Sequence, residues 1–260
     1  METSTAIEKA LKILLEFNSR EDEFGTFDIS KSLNLSKATA SRIMNTLAEY
    51  GFLLRNPETR KFSLGPWFIA MGLTVSESLH KSLVTLARPH IDRLCREIDE
   101  TVTFTVFFAP NVVIVYIANK PGMIKINIEV GQITQPNASA SAKSIYAFLD
   151  PNIADAFLKK ELERHTPNTI TDRDTLKDHY QKIRACGYAI DNEEAQLGLN
   201  ALGVPVFNPA GQPIGSVSAV GLSSADKWGS DSPILPKLRE TAGKIFAEIY
   251  RYSRKAAKES

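Results

Sequence analysis

Sixteen residues, Ser36 to Gly51, constrain this chain more than any others. Ser36 offers a side-chain oxygen to the free N–H groups of a helix's first turn. Gly51 relieves left-handed strain at the far end, so Lys37 to Tyr50 is predicted as a helix. Ala40, Ile43, Met44 and Leu47 recur at helical spacing and make one apolar stripe. The other face carries Lys37, Ala38, Thr39, Ser41, Arg42 and Asn45, which are small, hydroxylated, amide or cationic. A helix this short is marginal alone and must be buried on its apolar side by neighbours. What it leaves outside is a row of donors, acceptors and charge, with little bulk to keep a partner away.

The neighbours are legible on both sides. Thr5 and Glu8 have the spacing of a capping box, and Ile7, Ala10, Leu11, Leu14 and Phe17 follow as the buried stripe of a first helix. Asn18, Ser19, Arg20 and the acidic stretch to Gly25 are expected to end it. Thr26 is expected to cap a second helix, Phe27 to Leu33, with Ile29 and Leu33 inward. Asn34 follows where the chain turns sharply, and Asn tolerates the left-handed region. Leu35 plugs that turn. Beyond Gly51, Phe52 to Arg55 and Lys61 to Leu64 read as two short strands around an Asn56-Pro57 turn.

Charge separates along the chain in the same way. The whole carries 31 basic and 30 acidic residues, a formal net charge of +1, which by itself argues against a nucleic-acid partner. Residues 31–61, however, hold six basic and two acidic side chains, whereas residues 1–30 hold three and seven. The near-neutral total is a cancellation. Two helices joined by a tight turn, the second presenting small and polar groups, and a basic hairpin beyond it form a winged helix-turn-helix. On this reading Arg42, Asn45, Thr39 and Ser41 read base edges, with Ala38 allowing close approach. Ser36, Lys37, Arg55, Arg60 and Lys61 contact phosphates. A small helical protein-binding module is the alternative.

The rest of the chain is of another kind. Pro66 to Leu79 is predicted as a linker helix whose Trp67, Phe68, Met71 and Leu73 pack on a partner subunit or on their own domain. A helix from Ser82 to Ile98 follows, then paired strands Val102 to Phe107 and Val112 to Ile117, and a third strand over Ile124 to Val130. Helices are predicted at Lys143 to Leu149, Ile153 to Glu163 and Asp174 to Cys186. Strands follow at Tyr188 to Ile190, Ala201 to Phe207 and Ile214 to Gly221, and a last helix runs from Ile234 to Tyr252. Strands grouped at both ends with helices between make an α+β sensor domain with an antiparallel sheet.

The run Ser36 to Leu53, and the closing Lys61 to Gly65, resemble the recognition helix and wing of IclR-type bacterial transcriptional regulators. Ala87 to Leu94, the strand pair, Ser139 to Leu149, Gly187 to Glu194 and Pro205 to Ser218 resemble that family's C-terminal domain in the same order. The resemblance implies a winged helix-turn-helix over residues 1–65, a linker helix over 66–80 and a GAF-like effector-binding domain over 81–256. It implies a ligand-responsive regulator, expected to be a repressor, that binds double-stranded operator DNA as a homodimer or dimer of dimers. It also implies a pocket for a small organic or aromatic acid, lined by Ser139, Ala140, Asp191, Leu199, Ala201, Ser218 and Val220. This chain departs from the family with Ala142-Lys143 where Gly-Lys is common and Asn200-Ala201 where Arg-Cys is common, both around that pocket.

Catalytic chemistry is not visible. The chain has no Gly-rich phosphate loop, His-Glu zinc motif or nucleophile elbow. His80, His90, His165 and His179 have no partner at ligand spacing and read as surface or capping residues. Asp191, Glu193 and Glu194 read as a solvated loop. No catalytic residue, metal or cofactor is expected, and the chain is read as a regulator, not an enzyme. The rival is a small-molecule-metabolising enzyme whose N-terminal module only docks. A third reading is a ligand-binding dimerisation module without DNA contact. The two cysteines, Cys95 and Cys186, are isolated, and the N-terminus lacks the apolar run of a signal peptide. Val102 to Ala118 is broken by Pro110-Asn111, so no membrane helix is expected, and the location is cytoplasmic.

Overall fold

The computed structural model describes residues 5–17, 23–76, 79–120, 122, 126–158, 161–223 and 227–259. The chain divides into two compact units, Met1–Ser82 and Leu83–Ser260.

In the first unit, α1 (Ala6–Glu16) starts on the Thr5–Glu8 capping box: Thr5 N–H donates to Glu8 Oε2 at 2.7 Å and Glu8 N–H to Thr5 Oγ1 at 3.2 Å. Its buried face is Ile13 and Phe17, with Ala10 and Leu14 half-buried. This corrects the expected stripe, because Ile7 and Leu11 are exposed and line up with exposed Leu15 on another face. An apolar spacing of four fits either stripe, and only packing against the next helices selects one. Asn18 to Arg20, expected to end α1, lie outside the described residues.

The second helix, α2 (Thr26–Ser32), is capped by Gly25, not Thr26. Asp28 reaches back to accept the Gly25 N–H at 2.8 Å, so the carboxylate three residues on sets the start. Asn34 turns the chain at φ 49°, and Leu35 packs beneath the turn. Ser36 caps α3 (Lys37–Glu49), and Gly51 leaves it at φ 76°. Strands β1 (Leu53–Arg55) and β2 (Phe62–Leu64) pair antiparallel, and Phe24 adds a bridge to Phe62. Ile13, Phe17, Ile29, Ala40, Met44, Leu53 and Phe62 form the core of this unit. The α4 helix (Pro66–Ser76) closes it.

The second unit is a six-stranded antiparallel sheet between two helical layers. The α5 helix (Leu79–Ile98) leads into β3 (Thr101–Phe108), β4 (Asn111–Ala118) and the two-residue β5 (Ile133–Thr134). Next come α6 (Ala140–Tyr146), α7 (Pro151–Phe157), α8 (Arg173–Cys186), β6 (Ala189–Asn192), β7 (Leu199–Phe207), β8 (Pro213–Leu222) and α9 (Ile234–Glu259). The strand order is β5-β4-β3-β8-β7-β6.

Period-two alternation gives this sheet two unlike faces. Val102, Phe104 and Val106, Leu202, Val204 and Val206, and Val217 and Ala219 share one core with α5 and α9. The residues between them on the central strands are Thr103, Thr105, Ala201, Gly203, Ser216 and Ser218, small and largely hydroxylated. That second face receives α6 and α8, through a core of Ile145, Tyr146, Leu176, Tyr180 and Ile183.

Two expected elements differ. Of the strand expected over Ile124 to Val130, residues 126–130 are not a strand, and residues 124 and 125 lie outside the described ones. The chain turns at Gly131, whose N–H donates to Ile114 O at 2.7 Å, and of residues 126–134 it is Ile133 and Thr134 that pair with β4. The helix expected from Ile153 to Glu163 is the short α7, capped by Asp150 with Pro151 behind it.

Candidate functional site

The first candidate surface is the start of α3. Ser36 Oγ accepts the Thr39 N–H at 3.1 Å and lies 2.8 Å from Thr39 Oγ1, so both side chains are spent on the cap. Lys37, Ala38, Arg42 and Asn45 are exposed, while Ser41 is half-buried and accepts from Asn45 Nδ2 at 3.3 Å. Positions 37, 38, 41, 42 and 45 span one helical arc, which does not include buried Ala40 and Met44.

The hairpin follows directly, held by Phe52 N–H on Leu47 O and Gly65 N–H on Phe52 O, both 2.8 Å. Arg55 lies over the Phe62 ring, 5.6 Å from its centroid. Arg60, at φ 58°, and Lys61 are exposed at the turn. Sequence reading missed what shapes this turn. Asn56 Oδ1 accepts the Glu58 and Thr59 N–H groups, and Glu23 holds Asn56 Nδ2 at 3.0 Å and Thr59 Oγ1 at 3.2 Å. Glu23 stands 33 residues before Asn56, and no local pattern links them.

The second candidate site is a cavity of about 220 Å³ on the hydroxylated side of the sheet. Ser139, Asp191, Leu199, Ala201, Ser218 and Val220 all line it. Ala140 is not in its wall. It is buried in the core beneath α6, its carbonyl against Gly203, where an added Cβ would lie 2.6 Å from Ala140 O. That close approach is what lets α6 settle on β7, and it requires glycine.

Further wall residues come from the alternation and from the β4–α6 connection: Thr103 on β3, Ile114 on β4, and Gln132, Ile133, Thr134 and Gln135. Thr103 was legible as the residue between Val102 and Phe104, both in the apolar core. Ser139, Ser141 and Thr134 form a chain of hydroxyls, 2.9 and 3.3 Å apart. His165, read from sequence as a surface or capping residue, is exposed and contributes to the cavity wall. Among the described residues, no Lys or Arg lines this cavity.

Asp191 and Glu194 are not the solvated pair expected; both are buried. Lys143, fully buried on α6, reaches Glu194 with Nζ 2.6 and 2.5 Å from its two oxygens, and this pairing draws the loop inward. Burial pushes the Glu194 carboxyl up and the Lys143 ammonium down, each opposed by the partner's charge. Asp191 Oδ1 accepts the Glu194 N–H at 2.8 Å and the Ala195 N–H at 3.2 Å. Burial still pushes Asp191 up to about 6, against the opposing charge of Lys143. The cavity therefore has a carboxyl that is close to half-ionised near pH 6, facing hydroxyls and apolar side chains.

Among the described residues, no group of three or more His, Cys, Asp or Glu side chains could hold a metal ion. No helix among them is long and apolar enough to cross a membrane.

Two family models match this chain. Residues 6–57 match the model of the IclR helix-turn-helix domain, and residues 77–247 that of the bacterial transcriptional regulator IclR C-terminal domain. The DNA-binding transcriptional repressor YiaJ of Escherichia coli is 29% identical over 225 residues, which cover 85% of this chain and 79% of that protein. The regulator XynR of the same bacterium is 30% identical, covering 84% of this chain and 86% of its own. The crystal structure of the Thermotoga maritima IclR protein superposes with a TM-score of 0.71 at 29% identity, over 94% of this chain and 98% of that one. An IclR homolog of Microbacterium hydrocarbonoxydans, solved with 4-hydroxybenzoate, shares the fold at a TM-score of 0.77 and 22% identity, over 94% and 99% of the two chains.

Proposed function

This chain belongs to the IclR family of bacterial transcriptional regulators, and on that footing we propose how its residues divide the work. It is a ligand-responsive, DNA-binding regulator of transcription. Arg42, Asn45 and Ser41 read bases, Ala38 permits close approach, and Ser36, Lys37, Arg55, Arg60 and Lys61 meet the phosphates. Thr39 serves the cap as much as the DNA, since its N–H and hydroxyl are both engaged with Ser36. The winged helix-turn-helix takes residues 1–65, the linker helix 66–80 and the effector domain 81–256. The regulator acts in the cytoplasm as a repressor, and it is not an enzyme.

One observation carries the effector reading: Ser139, Asp191, Leu199, Ala201, Ser218 and Val220, distant in sequence, line one cavity. Its hydroxyls can donate to a single carboxylate, its apolar side chains can hold a ring or short chain, and Asp191 can accept from a hydroxyl. We take the effector to be a small organic or aromatic acid. The 4-hydroxybenzoate held by the Microbacterium homolog is a compound of that kind.

Self-association is supported by the exposed stripe Ile7, Leu11 and Leu15 on α1 and by exposed Trp67, Ile69 and Met71 on α4. Apolar rows of this length are normally covered. The second copy covers them, giving a dimer or a dimer of dimers.

A thermal-shift screen of the full chain against organic and aromatic acids tests the effector reading. A ligand at a hundredfold excess over its Kd should stabilise the protein by about 2.7 kcal/mol. The same compound should change retention of duplex DNA in a mobility shift at fixed salt. If it stabilises the protein yet leaves DNA retention unchanged, the regulatory reading fails.

A further inference from the structure

Among the described residues, two buried side-chain polar atoms have no hydrogen-bond partner, His179 Nε2 and Asn200 Oδ1. Both residues line the same cleft, of about 710 Å³. Buried polar atoms of this kind are normally met by a hydrogen-bond partner, and here both open on one space.

The cleft shares Asn200 with the effector cavity and is otherwise lined by different residues. Asn192 and Asn200 are cross-strand partners on β6 and β7, and Asp191 faces Ala201 one position along. Strand alternation therefore sends Asn192 and Asn200 to the sheet face opposite Asp191 and Ala201, which line the cavity. Ile190 joins them, Trp228 to Ser232 form the facing wall, and His179 and Glu194 close the sheet edge. Asn200 borders both spaces.

The chemistry of the wall defines what it takes. Among the described residues no Lys or Arg lines the cleft, and the exposed Asp231 carboxylate stands in its wall, which disfavours an anion. Glu194 is already committed to Lys143 and to the Asn192 N–H. Burial, and then the charges of Lys143 and Lys182, push His179 down to about 4, so its imidazole is neutral at pH 7 and offers one nitrogen as an acceptor. Asn200 Oδ1 is also an acceptor. Nε2 of a neutral imidazole accepts or donates according to the tautomer, and a hydroxyl, which does both, meets either form as well as Asn200 Oδ1.

We propose that this cleft is a second binding site, which takes a neutral, multiply hydroxylated small molecule, a polyol or sugar, with one hydroxyl donating to Asn200 Oδ1 and another hydrogen-bonded to His179 Nε2. The ligand sits on the back of the β6–β7 pair whose front lines the effector cavity.

Isothermal titration of the full chain with xylitol, sorbitol and glucose in the low millimolar range tests this, with gluconate as the anionic control. Saturable binding of at least one neutral probe is expected, with gluconate weaker. His179→Leu should weaken that binding at least tenfold, as should Asn200→Ser. Ser139→Ala, which changes a side chain of the effector cavity bonded to Ser141 and absent from the cleft wall, should leave it within twofold. The absence of saturable binding would overturn the proposal, as would binding that survives both cleft variants or that vanishes in Ser139→Ala. If the cleft variants do not fold, long-range imidazole ¹H–¹⁵N spectra of the wild type decide. The His179 Nε2 resonance must move with the probe, and a resonance that stays fixed overturns the proposal.

Discussion

The Lys143 ammonium, fully buried on α6, meets both carboxylate oxygens of Glu194, at 2.6 and 2.5 Å, and so ties the first helix behind the cavity to the loop after β6. The same loop is held from the other side, where Thr169 Oγ1 donates to Glu194 O at 2.6 Å and Thr166 Oγ1 to Glu193 O at 2.7 Å. Asp191, which faces the cavity, stands at its root. Wall and support are thus one hydrogen-bonded unit.

Breaking that pair from one side should be costly. Lys143→Met leaves the Glu194 carboxylate buried without its counter-charge, and about 3–5 kcal/mol of stability should be lost. The double variant Lys143→Met, Glu194→Gln removes both charges and keeps an acceptor for the Asn192 N–H, so it should recover most of the loss. Urea melts of the three proteins check this. A double variant as weak as the single one would mean that the ion pair stabilises the fold beyond neutralising its own charges.

Asp191 should write a pH dependence into stability. Its carboxyl titrates near 6 in the folded chain, against an ordinary 3.8. A raised folded value means that the folded state holds a proton which the unfolded state has already released. The stabilisation is complete below about pH 4 and is lost as pH rises through about 6, a change on the order of 3 kcal/mol. Asp191→Asn should flatten the curve in that window, while its amide oxygen can still accept the Glu194 and Ala195 N–H groups. Denaturation series from pH 4 to 7 on both proteins measure the difference, and parallel curves would remove Asp191 as the source.

How much of this was legible beforehand depends on the range of each signal. The Ser36 cap, the Asn34 turn, the Gly51 exit and the Thr5–Glu8 box were readable because each is a contact within five residues. Thr103 and Ser218 were readable as the polar members of alternating strands. Lys143–Glu194 and Glu23–Asn56 were not, since their partners lie 51 and 33 residues apart and nothing local marks them. The choice between the Ile13 and Ile7–Leu11 faces of α1 was hidden for another reason. Both stripes obey helical periodicity, and only the tertiary fold distinguishes them. Ile124 to Val130 alternated like a strand, yet residues 126–130 are not one, and beyond the Gly131 turn Ile133 and Thr134 pair with β4.

Gly203 should prove irreplaceable for the cavity. An alanine Cβ there would sit 2.6 Å from Ala140 O, 2.8 Å from its carbonyl carbon and 3.0 Å from Ser218 Oγ. Backbone cannot yield as a side chain can, so α6 must lift from β7. Gly203→Ala should cost about 1–3 kcal/mol by overpacking. It should also weaken any effector found in the acid screen, because Ser139 and Ser218 move apart. Thermal melts with and without that compound separate the two effects, and an unchanged melt would contradict so close an approach.

Two variants of the first unit should separate reading from holding. Arg42 is exposed on α3 beyond the cap, and Lys61 is exposed at the hairpin turn. Arg42→Ala should cost about 1–3 kcal/mol on a duplex recovered by selection from random sequences, and much less on unselected DNA. Lys61→Ala should weaken both duplexes alike and lower the slope of log affinity against log salt by about one. Fluorescence anisotropy over a salt series gives both numbers. If Arg42→Ala weakens the two duplexes equally, the residue holds the backbone, and base reading passes to Asn45 and Ser41.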